Sequence, residues 1–299
     1  MANYPNWASE MAEIFKSGSI SQFVLYGNID DWVSFRNESD NKLHSLSLRY
    51  FMTNVMFAPF EVVICYDRGH GIRTTKGGEL FFNFLRAFDS FHRTSYTGGS
   101  SGESSLEAGN ALPKDPKKAL ALIDRFIRHG LTRTTVDKEG NPKANPIRVA
   151  VIIEYAQYLL PRAEIAYTSA ESVETLIRVF DWASDPNINN AYVTTCLIAE
   201  NLNDLNRQLV ENPRSAKVQI DLPDAEQVLN FVQSITASIE DFSSICDVKR
   251  ESLAQKLEGL SCIDVQNLIE RAIKNQRRIT MEYLREVKKE MIEKSASGR

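Results

Sequence analysis

Several kinds of site and segment are missing from this sequence. Its 299 residues include only four cysteines, none of them in a CxxC pair, and no Cys/His group has zinc-like spacing. No stretch approaches the roughly 18 consecutive apolar residues of a membrane span, and the N-terminus lacks a secretory signal. Lys and Arg total 35 against 39 Asp and Glu, which gives a net charge of −4. The chain therefore lacks the excess of basic residues that is typical of nucleic-acid-binding proteins. We therefore expect a reduced, cytoplasmic protein that binds neither membranes nor nucleic acid.

Apolar runs typical of buried strands alternate with amphipathic segments through the first part of the chain. The strand-like runs cover 22–26, 61–66, 148–154, 191–199 and 217–222. This alternation predicts an α/β fold with a parallel sheet covered on both faces. After Pro223 the strand signals stop, and four helices are expected at 223–239, 248–257, 262–276 and 279–294. The sequence thus predicts an α/β core over 1–222 and a helical lid over 223–299.

Two further segments give local predictions. Leu43, Leu46, Tyr50 and Val55 stand near helical spacing, which predicts a helix over 41–56. Residues 94–116 are rich in Gly, Ser and Pro, which is typical of a mobile surface loop.

Polar residues follow four of the predicted strands, at the edge where open parallel sheets bind ligands. They are Gly27 to Asp31, Asp67 to Gly71, Glu154 with Tyr155, and Glu200 with Asn201. A carboxylate in the place of Glu154 commonly holds Mg²⁺ in phosphate-handling proteins, and Asn201 could orient a water or a phosphate. The alternatives stay open: Glu154 as the solvent-exposed end of a strand, and Asn201 as a turn residue.

The order of these segments resembles an AAA+ ATPase module, a P-loop-NTPase-like core followed by a helical lid. Val149–Tyr155 is similar to the Walker B strand, and Leu197–Leu205 to the sensor-1 strand, with Asn201 as its asparagine. Asn212–Arg214 and Lys217–Asp224 resemble the arginine-finger strand and the start of the lid, and Leu257–Leu268 the sensor-2 segment. The resemblance covers about residues 20–290 and implies ATP or ADP with Mg²⁺ as the cofactor class; the alternative, that the chain binds no cofactor, stays open.

The sequence departs from this pattern where the phosphates would bind. A P-loop needs GxxxxGK[ST], and there is no Gly-Lys dipeptide anywhere in the chain. Its place is taken by Leu25–Asp31, which contains Gly27, Asn28 and two carboxylates that would repel a triphosphate unless a metal intervened. The Gly69–Gly78 stretch, with Lys76, is the other candidate phosphate site. In the Walker B motif, Tyr155 replaces the water-activating carboxylate, and tyrosine as a residue type does not act as a carboxylate base near neutral pH.

These departures predict a module that does not hydrolyse ATP alone and serves the assembly or regulation of an active AAA ATPase, in cis or in trans. By the same resemblance, Arg214 or Arg207 would reach a neighbour's nucleotide; the alternative is a solvated surface arginine. The last helix resembles the junction in bacterial and plastid tandem AAA proteins, where a degenerate N-terminal module precedes an active one. A homo-oligomer is another expected assembly. The alternative function is an ATP-binding AAA ATPase with an unusual phosphate site.

Overall fold

The computed structural model describes residues 4–37, 42–97, 112–137, 139–164, 169–237, 239 and 242–297. Contacts group the chain into two units. The α/β unit comprises residues 7–29 and 52–220, and the helical unit comprises 1–6, 30–51 and 221–299. Most of the predicted 94–116 loop, residues 98–111, lies outside the described residues.

The secondary-structure elements are numbered in chain order. The strands are β1 (Gln22–Gly27), β2 (Trp32–Arg36), β3 (Leu43–Ser47), β4 (Val62–Asp67), β5 (Gly71–Lys76), β6 (Thr134–Val136), β7 (Pro142–Ala144), β8 (Val149–Ile153), β9 (Thr194–Ala199) and β10 (Ser215–Ile220). The helices are α1 (Asn6–Lys16), α2 (Leu48–Phe51), α3 (Gly78–His92), α4 (Pro116–Leu131), α5 (Ala170–Ser184), α6 (Pro186–Asn190), α7 (Arg207–Val210), α8 (Ala225–Thr236), α9 (Phe242–Ile245), α10 (Arg250–Leu257), α11 (Cys262–Lys274) and α12 (Met281–Ser297). No described helix has the length and apolar character needed to cross a membrane.

The α/β unit is built on a six-stranded sheet in the order β10-β1-β9-β8-β4-β5. The first five strands in this order are parallel, and β5 pairs antiparallel with β4 at one edge. Strands β4, β8 and β9 are buried at every position, as expected of parallel strands covered on both faces. The predicted α/β fold with a parallel sheet and a following set of helices is therefore confirmed.

Alternate residues of the strands supply the main core of the α/β unit. Val62, Ile64 and Tyr66 of β4 pack in one cluster with Val151 of β8 and with residues of α3, α4 and α5. Within this cluster, Phe126 of α4 meets Phe81 and Phe84 of α3 edge to face, with ring centroids 5.0 and 5.4 Å apart. The packing fixes the sheet as a rigid support for the loops at its carboxyl edge.

The helical unit has its own core, formed by α8, α10, α11 and α12 around residues such as Phe231, Leu253 and Leu268. Helix α8 begins with a capping box between Asp224 and Gln227. The antiparallel hairpin β2–β3 also belongs to this unit. Its strand β3 shows that the helix predicted over 41–56 was wrong at its start, because pairing with β2 overrides the near-helical spacing.

Candidate functional site at the carboxyl edge of the sheet

Strands β1, β9, β8 and β4 are consecutive neighbours in the sheet, so their carboxyl ends meet at one edge. Gly27 ends β1 and Asp67 ends β4, while Glu154 directly follows β8. Asn201 lies two residues beyond the end of β9. The fold thus brings to one edge the segments on which the sequence predicted a nucleotide site.

The backbone at the end of β1 has its N–H groups already engaged. The N–H of Gly27 donates to the carbonyl oxygen of Glu200 at 3.1 Å, and the N–H of Asn28 donates to that of Ile220 at 2.8 Å. The N–H of Ile29 donates to the carbonyl oxygen of Gly27 at 2.8 Å. Three successive amides are therefore committed within the α/β unit, whereas a phosphate cradle presents such groups to its ligand.

Gly27 permits this close approach of β1 to β10. Its φ of +99° lies where side chains are strained, and a Cβ atom would stand 2.6 Å from the carbonyl oxygen of Ile220. The glycine therefore allows the chain to pack tightly against β10, and this close approach leaves no space for a phosphate between Gly27 and Ile220. Which carbonyl oxygens accept the N–H groups of this segment depends on the strand order.

The carboxylate of Glu154 is paired with an arginine that sequence reasoning missed. A single nitrogen of Arg73, Nη2, donates to Oε2 of Glu154 at 2.6 Å and to Oδ2 of Asp67 at 2.5 Å. Both carboxylates are buried, with residue exposures of 9% for Glu154 and 4% for Asp67. The site therefore contains a buried pair of anions neutralised in part by one cation of the same chain.

Asp67 is the most heavily hydrogen-bonded member of this cluster. Its Oδ1 accepts the N–H groups of Gly69 and His70, both at 2.8 Å, and the Nδ1 atom of His70 lies 3.0 Å from Oδ2. Burial alone would raise the pKa of Asp67, but the hydrogen bonds from His70 and Gly69 and the charge of Arg73 hold that pKa below its usual range. Asp67 is therefore charged throughout the neutral pH range.

These residues do not fit a magnesium ion at Glu154. Among the described residues, no group of three or more His, Cys, Asp or Glu side chains could hold a metal ion. A positive charge of the protein already lies beside one oxygen of Glu154, because Nη2 of Arg73 is 2.6 Å from Oε2. Arg73 lies in the Gly69–Gly78 stretch, the other candidate phosphate site. This stretch forms the β4–β5 turn, strand β5 and the start of α3, and is thus no phosphate loop. Its Lys76 donates to the carbonyl oxygen of Ala58.

Tyr155 and Asn201, the other two residues at this edge, are positioned by local turns. Tyr155 has a left-handed backbone, with φ of +54°, and 46% of its surface is exposed. The side-chain amide of Asn201 donates to Oδ2 of Asp204 at 3.2 Å, within the short 3₁₀ turn Leu202–Asp204. Asn201 thus makes the kind of local contact expected of a turn residue.

The two carboxylates of the Leu25–Asp31 segment have different environments. Asp30 is exposed, whereas Asp31 is 4% exposed and lies in the helical unit with α11. Its carboxylate accepts the N–H of Cys262 at 2.8 Å and that of Ile263 at 3.0 Å, while Ser261 caps Asp264. Asp31 therefore satisfies the first turn of a helix, where a negative charge is favourable.

The two arginines proposed to act on a neighbour are both on the surface. Arg207 is paired with Glu211 one helical turn away, at 2.7 Å, and its side chain is 80% exposed. Arg214 is exposed, and its guanidinium donates to the carbonyl oxygen of Ser184 at 3.2 Å. Each side chain has contacts that a partner could replace at little cost, because exposed pairs contribute little to stability.

Comparison with known proteins places this fold in a family. A solved chain of the E. coli MS115-1 HORMA:CdnC:Trip13 complex is similar at 15% identity, with a TM-score of 0.40 over 76% of this chain and 72% of that chain. No curated protein sequence matches. The family model for the AAA+ chaperone N-terminal Rossmann-like domain matches residues 1–221, and that for the AAA+ chaperone second helical domain matches residues 227–297. The chain therefore belongs to the AAA+ chaperone family.

Proposed function

We propose that this AAA+ module does not hydrolyse ATP by itself and acts in the assembly or regulation of an active AAA ATPase module. The observation that carries the proposal is the commitment of the N–H groups of Gly27, Asn28 and Ile29 to carbonyl oxygens of the α/β unit. These residues stand where the family resemblance places the phosphate loop. With no Gly-Lys dipeptide in the sequence, the lysine of that loop is missing as well.

The cost of opening this segment weighs against nucleotide binding. Each backbone hydrogen bond contributes a net stabilisation of about 1 kcal/mol, so freeing three of them would cost about 3 kcal/mol. Since every 1.4 kcal/mol is tenfold in affinity, this penalty alone would weaken phosphate binding by roughly 100-fold. Phosphoryl transfer relies almost entirely on positioning and electrostatics, and Tyr155 supplies no carboxylate to orient a water.

The partner in this proposal is an active AAA module, joined in cis or associated in trans. Arg214 and Arg207 are the side chains that we assign to such a contact, because both guanidinium groups lie on the surface. A homo-oligomer of this chain would present the same two arginines to each neighbour. ATP and ADP with Mg²⁺ then belong to the partner's site.

Isothermal titration of the purified chain with Mg-ATP and with Mg-ADP tests the proposal. We expect no heat of binding up to millimolar nucleotide. Micromolar binding that weakens in Glu154→Ala, but persists in the control Glu10→Ala at an exposed glutamate of α1, would overturn the proposal. That result would favour the alternative function, an ATP-binding AAA ATPase with an unusual phosphate site.

A further inference from the structure

The strand register places two carboxylates side by side. Tyr66 of β4 pairs with Ile153 of β8 in parallel register, so the next residues along the two strands, Asp67 and Glu154, are neighbours. Like charges placed opposite each other destabilise a sheet, and here both groups are buried. The register therefore creates a local demand for positive charge.

The antiparallel edge strand supplies that charge. Arg73 of β5 is paired with Cys65, which lies two residues before Asp67 on the same face of β4. This diagonal relation lets the long arginine side chain reach past Cys65 to the end of the strand. Its Nη2 atom contacts one oxygen of each carboxylate, so these two oxygens lie no more than about 5 Å apart.

We propose that Arg73 is a built-in cation that holds Asp67 and Glu154 together and closes this edge of the sheet to divalent cations. Without the guanidinium, a divalent cation in the place of Nη2 would contact both buried carboxylates, since the 2.5 and 2.6 Å distances from that place to their oxygens fall within the roughly 2.3–2.6 Å of calcium–oxygen ligation. The inference deepens the proposed function and rests on it, because it gives the reason that the Glu154 carboxylate carries no metal for a nucleotide.

Titration with Mn²⁺ alone, followed by electron paramagnetic resonance of the free ion, tests this role. Wild type should bind no Mn²⁺ up to millimolar concentration. Arg73→Gln should bind one ion at least about 100-fold more tightly, because the buried pair then loses the cation that both carboxylates share, and Asp67 keeps only its contacts with Gly69 and His70. Arg73→Gln combined with Glu154→Gln should lose that binding, and Arg73→Lys, which keeps the charge, should behave as wild type.

Thermal unfolding keeps the inference testable if Arg73→Gln folds poorly. Added Mn²⁺ should then raise the unfolding temperature of Arg73→Gln and leave that of Arg73→Lys unchanged. An Arg73→Gln protein that neither binds Mn²⁺ nor is stabilised by it would overturn the inference, as would wild type binding Mn²⁺ equally well. Either result leaves the Mg-ATP titration as a separate test of the proposed function, which depends on the Gly27–Ile29 amides.

Discussion

Replacing Asp31 by alanine should destabilise the helical unit through the first turn of α11. The Asp31 carboxylate accepts the N–H groups of Cys262 and Ile263, at 2.8 and 3.0 Å, from a position that is 4% exposed. Alanine removes both acceptors and leaves the two amide donors without their partner. The side chain of Ser261 continues to cap Asp264, so the rest of the helix start is preserved.

The expected loss follows from the two hydrogen bonds. A hydrogen bond to a charged group contributes about 1.5–3 kcal/mol, and a charge at a helix N-terminus adds about 0.3–1 kcal/mol at exposed positions. The two bonds share one carboxylate and are not additive, and water can enter the space vacated by the side chain. We therefore expect Asp31→Ala to lower the free energy of unfolding by about 2–4 kcal/mol.

Urea unfolding followed by circular dichroism measures this loss, and amide hydrogen exchange of Cys262 and Ile263 locates it. Asp30→Ala is the matched control, because the neighbouring carboxylate is exposed. Asp31→Asn keeps one acceptor without the charge and should fall between the control and Asp31→Ala. Equal stability of Asp31→Ala and Asp30→Ala, with unchanged exchange at α11, would refute the assignment of Asp31 as the cap of this helix.

Three other predictions concern the α/β unit. Because the folded-state pKa of Asp67 lies below its ordinary value of 3.8, its charge stabilises the protein above that pH, and the contribution is lost as pH falls through the lowered value. The stability deficit of Asp67→Asn in urea should thus be largest near neutral pH and shrink below pH 3.8. Gly27→Ala should lower the free energy of unfolding by at least about 2 kcal/mol. The loss should exceed that of Gly18→Ala, because Gly18 also has a positive φ but an added Cβ there would meet no atom within 4 Å. Adding Arg207→Ala/Arg214→Ala protein to an active partner module should give lower ATPase activity than adding wild type; equal rates would exclude the in-trans role.

Much of the fold follows from local patterns. The run Val149–Ile153 is uniformly apolar, with four β-branched residues and Ala150, and it forms a fully buried central strand. The apolar periodicity after Pro223 likewise marks helices close to those found, such as α11. The β2–β3 hairpin was missed because its strands owe their stability to pairing and to packing in the helical unit, and residues 43–47 carry apolar spacing close to that of a helix.

The site was harder to predict because it depends on which strands are neighbours. Glu154 was found from its place after an apolar strand, and that signal is local. Its partner Arg73 is 81 residues away in sequence. It lies on an antiparallel edge strand, which the alternation of strands and helices does not predict. The register that brings Asp67 beside Glu154 is likewise a property of the assembled sheet.

The backbone amides of Gly27, Asn28 and Ile29 and the carboxylate of Glu154 have hydrogen-bond partners within the protein. The amides bond to carbonyl oxygens, and the carboxylate of Glu154, which the family resemblance would place in the Walker B motif, bonds to Arg73. A buried polar group left for a ligand would cost the free protein stability, whereas these groups impose no such cost. We therefore expect that a nucleotide at this edge would have to break existing bonds before it could make new ones. We expect this preference for internal hydrogen bonds over bonds to a nucleotide in a module that serves contacts with an active ATPase and does not hydrolyse ATP itself.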